Sequence, residues 1–86
     1  KDNFPDFVKI DVEGFEWNVI KGFMKTIENH KPSIMIEIQS DADKIIPYFK
    51  SIGYHVFNDK LEEIDSIEDY YKRKSPNIFF KTIINS

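Results

Sequence analysis

The chain has 86 residues, a net charge of −3 and no cysteine, so it forms one domain at most and neither disulfides nor thiolate metal sites. Its acidic balance argues against nucleic acid as a partner, because nucleic-acid-binding proteins usually carry a basic stripe. No apolar run approaches the roughly 20 residues of a membrane span, and the lack of cysteine is compatible with the cytoplasmic location that we predict.

The first predicted element is a largely buried strand over residues 7–12, which is apolar apart from Lys9 and Asp11. Glu13 and a glycine follow at once, and a helical pattern begins at Glu16. In an open α/β sheet, ligands bind at the carboxyl ends of the strands. The junction between this strand and this helix is therefore the candidate functional site.

The first helix is predicted over residues 16–29, where apolar residues recur at three- and four-residue spacing and form one stripe. The residues of this stripe, which we expect in the core, are Trp17, Ile20, Phe23, Met24 and Ile27. Pro32 ends the helix. Residues 33–39 then contain a continuous apolar run, which is typical of a parallel strand covered on both faces.

A second helix is predicted from about residue 44 to residue 52, with a late start because Pro47 is tolerated only near a first turn. One of three polar side chains is expected to cap this helix. These are Ser40, Asp41 and Asp43. Gly53 is expected to end the helix in a left-handed conformation.

Shorter elements complete the pattern. We predict a third strand over residues 54–57, a short extended piece over residues 61–64, and a short helix that begins after a cap at Asp65 or Ser66. The last strand is predicted over residues 77–83. No long helix precedes it, so it is free to run antiparallel to the others.

Several segments together carry a resemblance to a known family. They are Lys9-Ile10-Asp11-Val12-Glu13-Gly14, Glu16, Val19-Ile20-Lys21-Gly22, Pro32, Ile34-Met35-Ile36-Glu37, Gly53-Tyr54 and Asn77-Ile78-Phe79-Phe80. In these segments the chain resembles the second half of the FkbM family of S-adenosylmethionine-dependent methyltransferases. The resemblance covers nearly the whole chain.

The resemblance implies that residues 1–86 are a single partial domain, the C-terminal half of a Rossmann-like methyltransferase sheet. It implies an α/β fold with three parallel strands, crossover helices, and a last antiparallel strand inserted between the second and third strands predicted here. S-adenosylmethionine is the implied cofactor. Its main binding motif, the family's glycine-rich loop, belongs to the first half and has no match among the only glycines, Gly14, Gly22 and Gly53.

The implied reaction is methyl transfer to an oxygen of a sugar, glycan or small metabolite by the intact protein, with the fragment alone inactive. Asp11 and Glu13 would face the methyl-transfer centre, while Glu16 and Glu37 would act behind them or touch the acceptor. Asp11 and Val12 would contact the cofactor. A carboxylate at this place can orient the acceptor, act as a base or hold a divalent ion.

Simpler structural roles exist for the same carboxylates. Glu13 can cap the first helix, Asp11 can meet a lysine, and Glu16 can interact with the helix dipole. Glu37 lies inside an apolar strand, where an unpaired charge is unfavourable. We therefore expect Glu37 either to reach the open end of its strand near Glu13 or to pair with a basic group. Tyr70 and Tyr71 can line an acceptor pocket, although packing of a short surface helix is favoured.

Two other functional classes are weighed against methyl transfer. The strand that ends at Glu13, with Asp41 and Asp43 later, resembles the Toprim domain of primases and topoisomerases, in which such acidic residues hold magnesium. The spacing of elements and the acidic charge oppose this reading. A non-catalytic α/β interaction module is the other alternative. In either case we expect an exposed sheet edge, which favours self-association.

Overall fold

A computed structural model of the chain describes residues 7–82. Within them the chain is an α/β protein with a four-stranded mixed sheet and three helices. The elements are β1 (Phe7–Ile10), α1 (Glu16–His30), β2 (Ser33–Glu37), α2 (Ala42–Ser51), β3 (His55–Phe57), α3 (Ile67–Arg73) and β4 (Asn77–Lys81). No helix in this part of the chain is long and apolar enough to cross a membrane.

The strands lie in the order β1-β2-β4-β3. β1 and β2 pair in parallel with Ile10 opposite Ile36, whereas β4 is antiparallel to both β2 and β3. The antiparallel last strand agrees with the expectation from sequence. Because β2 and β3 both oppose β4, the carboxyl ends of β1, β2 and β3 lie at one end of the sheet, beside the amino end of β4. This end is called the carboxyl end below.

The hydrophobic core lies on one face of the sheet. Alternate strand residues point to this face and pack against buried residues of α1 and α2 in a single cluster. Its fully buried members include Ile20, Ile27, Ile34, Ile36, Ile45, Ile46, Phe49, Val56, Ile78 and Phe80. Phe49 has a central place, since its ring centroid lies 4.4 Å from that of Phe80 and 5.0 Å from that of Tyr54.

The opposite face of the sheet is only partly covered by the described residues. Phe7 is 54% exposed, and Met35 and Phe79 are half-buried. The predictions that residues 7–12 are largely buried and that the second strand is covered on both faces are therefore wrong for this part of the chain. The physical reason is that β1 is an edge strand and that α1 and α2 pack against the core face.

Phe23 also differs from its predicted place in the core, because 44% of its surface is exposed. Its side chain lies over the edge of the sheet and lines an apolar cleft with Val8 and Pro32. The apolar stripe of α1 does face the sheet, as predicted. That face is wider than the sheet beneath it, so the residue above the edge stays accessible.

α2 begins at Ala42 and contains Pro47, so the predicted late start is wrong. Proline lacks the backbone N–H group that would donate to the carbonyl of Asp43. Because Asp43 is exposed, water can bind this carbonyl, and the helix continues through Pro47. The predicted side-chain cap is also wrong. Asp41 occupies the N-cap position with φ 62° and makes no side-chain cap bond; its carbonyl instead accepts from the amides of Lys44 and Ile45, both at 2.9 Å.

Other local predictions are confirmed. Gly53 follows α2 with φ +96°. The Ser66 hydroxyl caps α3 by accepting a hydrogen bond from the Asp69 amide at 3.1 Å. The segment after β3 returns to the sheet, where the Ile64 amide donates to the Val56 carbonyl at 2.7 Å. The predicted end of the last strand at residue 83 lies outside the described residues.

Candidate functional site

Two loops meet at the carboxyl end of the sheet. Residues 11–15 join β1 to α1, and residues 38–41 join β2 to α2. Because β1 and β2 are parallel neighbours, the loops that leave them are adjacent. The Ser40 hydroxyl donates to the Gly14 carbonyl at 3.1 Å and so connects the two loops directly. This is the place where open α/β sheets bind ligands.

Glu16 holds these loops together from inside the protein. It is completely buried, and its Oε2 accepts a hydrogen bond from the Gly14 amide at 2.7 Å. Its Oε1 accepts from the Ser40 amide at 3.2 Å and, at a longer 3.4 Å, from the Gln39 amide. We call these four residues the Glu16 clasp. Glu16 is the first residue of α1, where the helix dipole also favours a negative charge. The predicted interaction with the dipole is therefore only one of the interactions of Glu16.

The clasp depends on an unusual backbone conformation in the first loop. Gly14 has φ +90°, a value that glycine adopts without strain. This conformation turns the Gly14 amide back toward the carboxylate two residues later. An added Cβ would meet no atom within 4 Å, so the requirement for glycine comes from the backbone and not from a lack of space.

Asp11, Val12 and Glu13 follow the carboxyl end of β1 and are exposed. The simpler roles considered for the two carboxylates are not seen within residues 7–82. Asp11 forms no ion pair with a lysine there, and the N-cap of α1 is Phe15, which has no side-chain cap bond. The backbone of this loop is nonetheless ordered by a hydrogen bond from the Phe15 amide to the Val12 carbonyl at 3.0 Å.

Glu37 lies beside Asp11 at the end of the parallel ladder. Each follows the paired residues Ile10 and Ile36 by one position, with Asp11 just past the end of β1 and Glu37 as the last residue of β2. Glu37 is half-buried and stands opposite Asn77 of β4. Of the two alternatives for Glu37, pairing with a basic group is not found among the described residues. Asp11 is thus exposed just after β1, Glu37 is half-buried at the end of β2, and Glu16 is enclosed by the clasp.

A polar network occupies the same end of the sheet after β3. The buried Asn58 accepts hydrogen bonds from the amides of Lys60 and Glu62 at 3.0 and 2.8 Å. Arg73 of α3 donates to Glu62 at 2.9 Å and to Asp69 at 3.1 Å. A hydrogen bond from the Asp65 amide, followed by that from Arg73, lowers the pKa of Asp69. The polar groups of this network thus form hydrogen bonds with one another.

A cleft of about 340 Å³ separates this network from the Glu16 clasp. Its lining residues are Ile38, Tyr70, Tyr71, Lys74, Ser75 and Pro76. Burial raises the pKa of Tyr70, and Tyr71 and then Glu16 contribute to the same shift. Sequence reasoning considered both tyrosines as pocket residues but favoured simple surface packing.

The clasp donors were missed from sequence. Ser40 was interpreted as a helix cap, and Gln39 was given no role, because nothing local indicates that this loop meets a glutamate 24 residues earlier. The available signal was indirect. Glu16 and Ser40 lie a few residues after the ends of two strands that parallel pairing brings together.

The three glycines lie in local turns or within a helix. The Gly14 amide and carbonyl are engaged in the clasp and its serine, Gly22 lies within α1, and Gly53 follows α2. None of these glycines forms a cradle for a nucleoside. Within residues 7–82, no three acidic, histidine or cysteine side chains form a group that could hold a metal ion.

Comparison with known proteins identifies a family for this region. The family model described as the methyltransferase FkbM domain matches residues 1–56, which is more than half of the chain. The matched range contains the β1–α1 junction, Glu16 and the loop that supplies its donors. No curated protein and no solved structure matches the chain.

Proposed function

Because this chain belongs to the methyltransferase FkbM domain family, we propose that it forms the C-terminal half of a Rossmann-like domain that transfers a methyl group from S-adenosylmethionine to an oxygen atom. The acceptor is a sugar, a glycan or another small metabolite, and the intact protein acts in the cytoplasm. The observation that carries this proposal is the Glu16 clasp, which fixes two loops at the carboxyl end of the sheet.

The sheet supports a division between this chain and a cofactor-binding half. Among residues 7–82, the outer edge of β1 has no paired strand, and the face that carries Phe7 is partly bare. A Rossmann-like sheet that continues past β1 would pair this edge and place a nucleoside-binding loop next to Asp11 and Val12. The right-handed parallel crossovers of such a sheet belong to the same proposal.

The carboxylates have distinct roles in this mechanism. The bound cofactor supplies an activated methyl group. Asp11 and Glu13 would orient the acceptor hydroxyl, and one of them would take up its proton during methyl transfer. Glu37 contacts the acceptor from the neighbouring strand. Glu16 is a positioning residue, since both of its oxygens already accept backbone hydrogen bonds.

Calorimetric titration with S-adenosylmethionine tests the proposal. It is performed on the intact natural polypeptide that carries these residues and, in parallel, on the 86-residue chain. We expect stoichiometric binding to the first and none to the second. Absence of binding to both would overturn the methyltransferase proposal.

Substitutions then separate binding from chemistry in the intact polypeptide. Asp11→Asn should lower kcat by about 10²-fold or more, the usual contribution of a positioned proton acceptor. Asp43→Asn is the matched control, because Asp43 is an exposed carboxylate at the start of α2, and it should leave kcat unchanged. Equal effects of the two substitutions on kcat would show that Asp11 has no catalytic role.

A non-catalytic interaction module is the second candidate, because Phe15 and Leu61 expose 63% and 65% of their surfaces. Under this alternative the open edge of β1 would serve a partner or a second copy of the chain. It predicts no binding of S-adenosylmethionine to the intact polypeptide, so the same titration distinguishes the two functions.

A further inference from the structure

We propose that the cleft between α3 and the adjoining ends of β2 and β4 binds the ring of the methyl acceptor, and that this acceptor carries an anionic group. The inference rests on the proposed function and names the acceptor subsite of the same site. It follows from the position of the cleft, from the chemistry of its walls and from the one cation at its rim.

The cleft is directly connected to the Glu16 clasp. The Ile38 amide donates to the Pro76 carbonyl at 3.3 Å, so the floor of the cleft is a hydrogen-bonded pair between the end of β2 and the start of β4. The next two residues after Ile38 supply the clasp donors to Glu16. A ligand in the cleft would therefore lie beside the loop that supplies donors to Glu16.

The walls of the cleft are suited to a ring. Tyr70 and Tyr71 form a corner, with ring centroids 5.1 Å apart and ring planes at 64°. Tyr71 is 57% exposed, which leaves one aromatic face available. The face of an aromatic ring carries partial negative charge, so it attracts the C–H groups of a saturated sugar ring while the sugar hydroxyls stay hydrated. The volume of about 340 Å³ lies within the range of about 300–1,000 Å³ for small-molecule sites.

Lys74 gives the cleft a positive charge. Within residues 7–82 its ammonium group forms no ion pair, whereas the neighbouring Arg73 is engaged by Glu62 and Asp69. The Ser75 hydroxyl, which also lines the cleft, donates to Asp59 at 3.0 Å. A cation beside an aromatic corner favours a ring with a carboxylate or phosphate substituent, because such a group can form a charge-assisted hydrogen bond with the ammonium.

The polar cleft on the other side of Lys74 is a poorer candidate. It contains Asn58, Glu62 and Arg73, whose hydrogen-bonding groups are occupied by one another. A ligand would have to displace these bonds. In the aromatic cleft, by contrast, neither tyrosine hydroxyl makes a hydrogen bond with the described residues, so a ligand can form new contacts without breaking existing ones.

Amide chemical-shift mapping of the ¹⁵N-labelled 86-residue chain tests this inference without any methyl donor. The probes are glucuronate, glucose 6-phosphate and glucose, which distinguish a carboxylate, a phosphate and a neutral ring. We expect saturable shifts at Ile38, Tyr71, Lys74 and Ser75, with the anionic probes binding about fivefold tighter than glucose, as one exposed charge pair allows. Shifts centred elsewhere, or none up to about 50 mM probe, which corresponds to binding weaker than ~2 kcal/mol, would overturn the proposal.

Two variants and a control sharpen the result. Lys74→Met should reduce the affinity for the anionic probes to that for glucose, and Tyr71→Ala should weaken all bound probes. Phe23→Ala removes another exposed aromatic side chain, which lies on α1, and should change nothing. An anionic preference that survives Lys74→Met would exclude the lysine.

The outcomes of this test and of the cofactor titration are independent. If the intact polypeptide binds S-adenosylmethionine but the probes leave the cleft unshifted, only the acceptor subsite is rejected. If the probes shift the cleft but S-adenosylmethionine does not bind, the methyl-transfer function is rejected and the cleft stands as an anionic-sugar site.

Discussion

The backbone amide of Ser40 donates a hydrogen bond to the carboxylate of Glu16 at 3.2 Å, across 24 residues of sequence. The Ser40 hydroxyl also reaches the Gly14 carbonyl, while the Gly14 amide donates to the other carboxylate oxygen. The loops that leave β1 and β2 are thus joined through a single buried side chain. A change in either loop must be transmitted to the other, which is what a site assembled from two strand ends requires.

Replacement of the buried carboxylate should therefore destabilise the fold. In Glu16→Gln one acceptor oxygen becomes an NH₂ group that faces a backbone donor, so that a buried amide loses its partner. We expect a loss of about 1–3 kcal/mol in the free energy of unfolding, the usual penalty for an unsatisfied buried group. Urea denaturation followed by circular dichroism measures it.

Glu13→Gln is the matched control for this experiment. It makes the same chemical change at an exposed position of the same junction, where an effect within about 0.5 kcal/mol is expected. If both variants unfold at the same urea concentration, the clasp does not contribute to stability and the description of Glu16 as a positioning residue fails.

Much of the secondary structure was readable from local signals. The stripe on α1 and Pro32 predicted a helix over residues 16–29, and the helix observed is Glu16–His30. Gly53 and Ser66 mark ends that depend on their own backbone or side-chain chemistry. Such signals lie within a few residues of the feature that they determine, so a single sequence contains them.

The hydrogen-bond partners of Glu16 and the exposed apolar positions could not be predicted from such local signals. The partners of Glu16 depend on which loops adjoin, and that follows from strand pairing over a long separation. Phe7 and Phe23 occupy positions at which the apolar pattern predicts burial, yet both are exposed. Their exposure depends on how far the sheet extends beside them. A periodic pattern reports the face on which a residue lies, but not whether another element covers that face.

The core should depend strongly on Phe49. This residue is fully buried and its ring contacts those of Tyr54 and Phe80. Phe49→Leu removes ring volume and leaves a cavity, so the free energy of unfolding should fall by about 1–3 kcal/mol. The same replacement at the exposed Phe15 should have an effect within about 0.5 kcal/mol. Thermal unfolding of both variants measures these effects. An equal or larger loss of stability at Phe15 would contradict the central place of Phe49 in the core.

Tyr54 should make stability depend on alkaline pH. Burial raises the pKa of Tyr54 to about 12, whereas an unfolded tyrosine loses its proton near pH ~10. Between these values the folded state binds more protons than the unfolded state, so stability is fully present below pH ~10 and declines as the pH rises. The hydroxyl donates to the Pro32 carbonyl at 2.6 Å, and that bond requires the protonated form.

Tyr54→Phe should consequently have two effects. It lowers stability at neutral pH because the Pro32 carbonyl loses its donor, and it flattens the decline in melting temperature above pH ~10. Tyr71→Phe is the control, since the Tyr71 hydroxyl makes no hydrogen bond within residues 7–82, and its melting curve should follow that of the parent. A parental alkaline decline in Tyr54→Phe would assign the effect to other groups.

The edge of β1 should set the tendency of the chain to self-associate. Lys9 is the only charged residue in this strand, whose outer edge is unpaired within the described part of the chain. A lysine on an edge strand opposes pairing with a second edge, because association would bring two positive charges together and remove them from water. Lys9→Val should therefore strengthen dimer formation by about tenfold or more, which corresponds to ~1.4 kcal/mol, as measured by sedimentation equilibrium.

Lys21→Val separates this edge effect from a general loss of charge. Lys21 is exposed on α1, so its replacement changes the net charge by the same amount but leaves the strand edge intact. Its association constant should equal that of the parent. If the two variants associate equally, the dimer forms through general hydrophobicity or reduced charge repulsion. If neither associates more than the parent, the edge of β1 is protected by something other than Lys9.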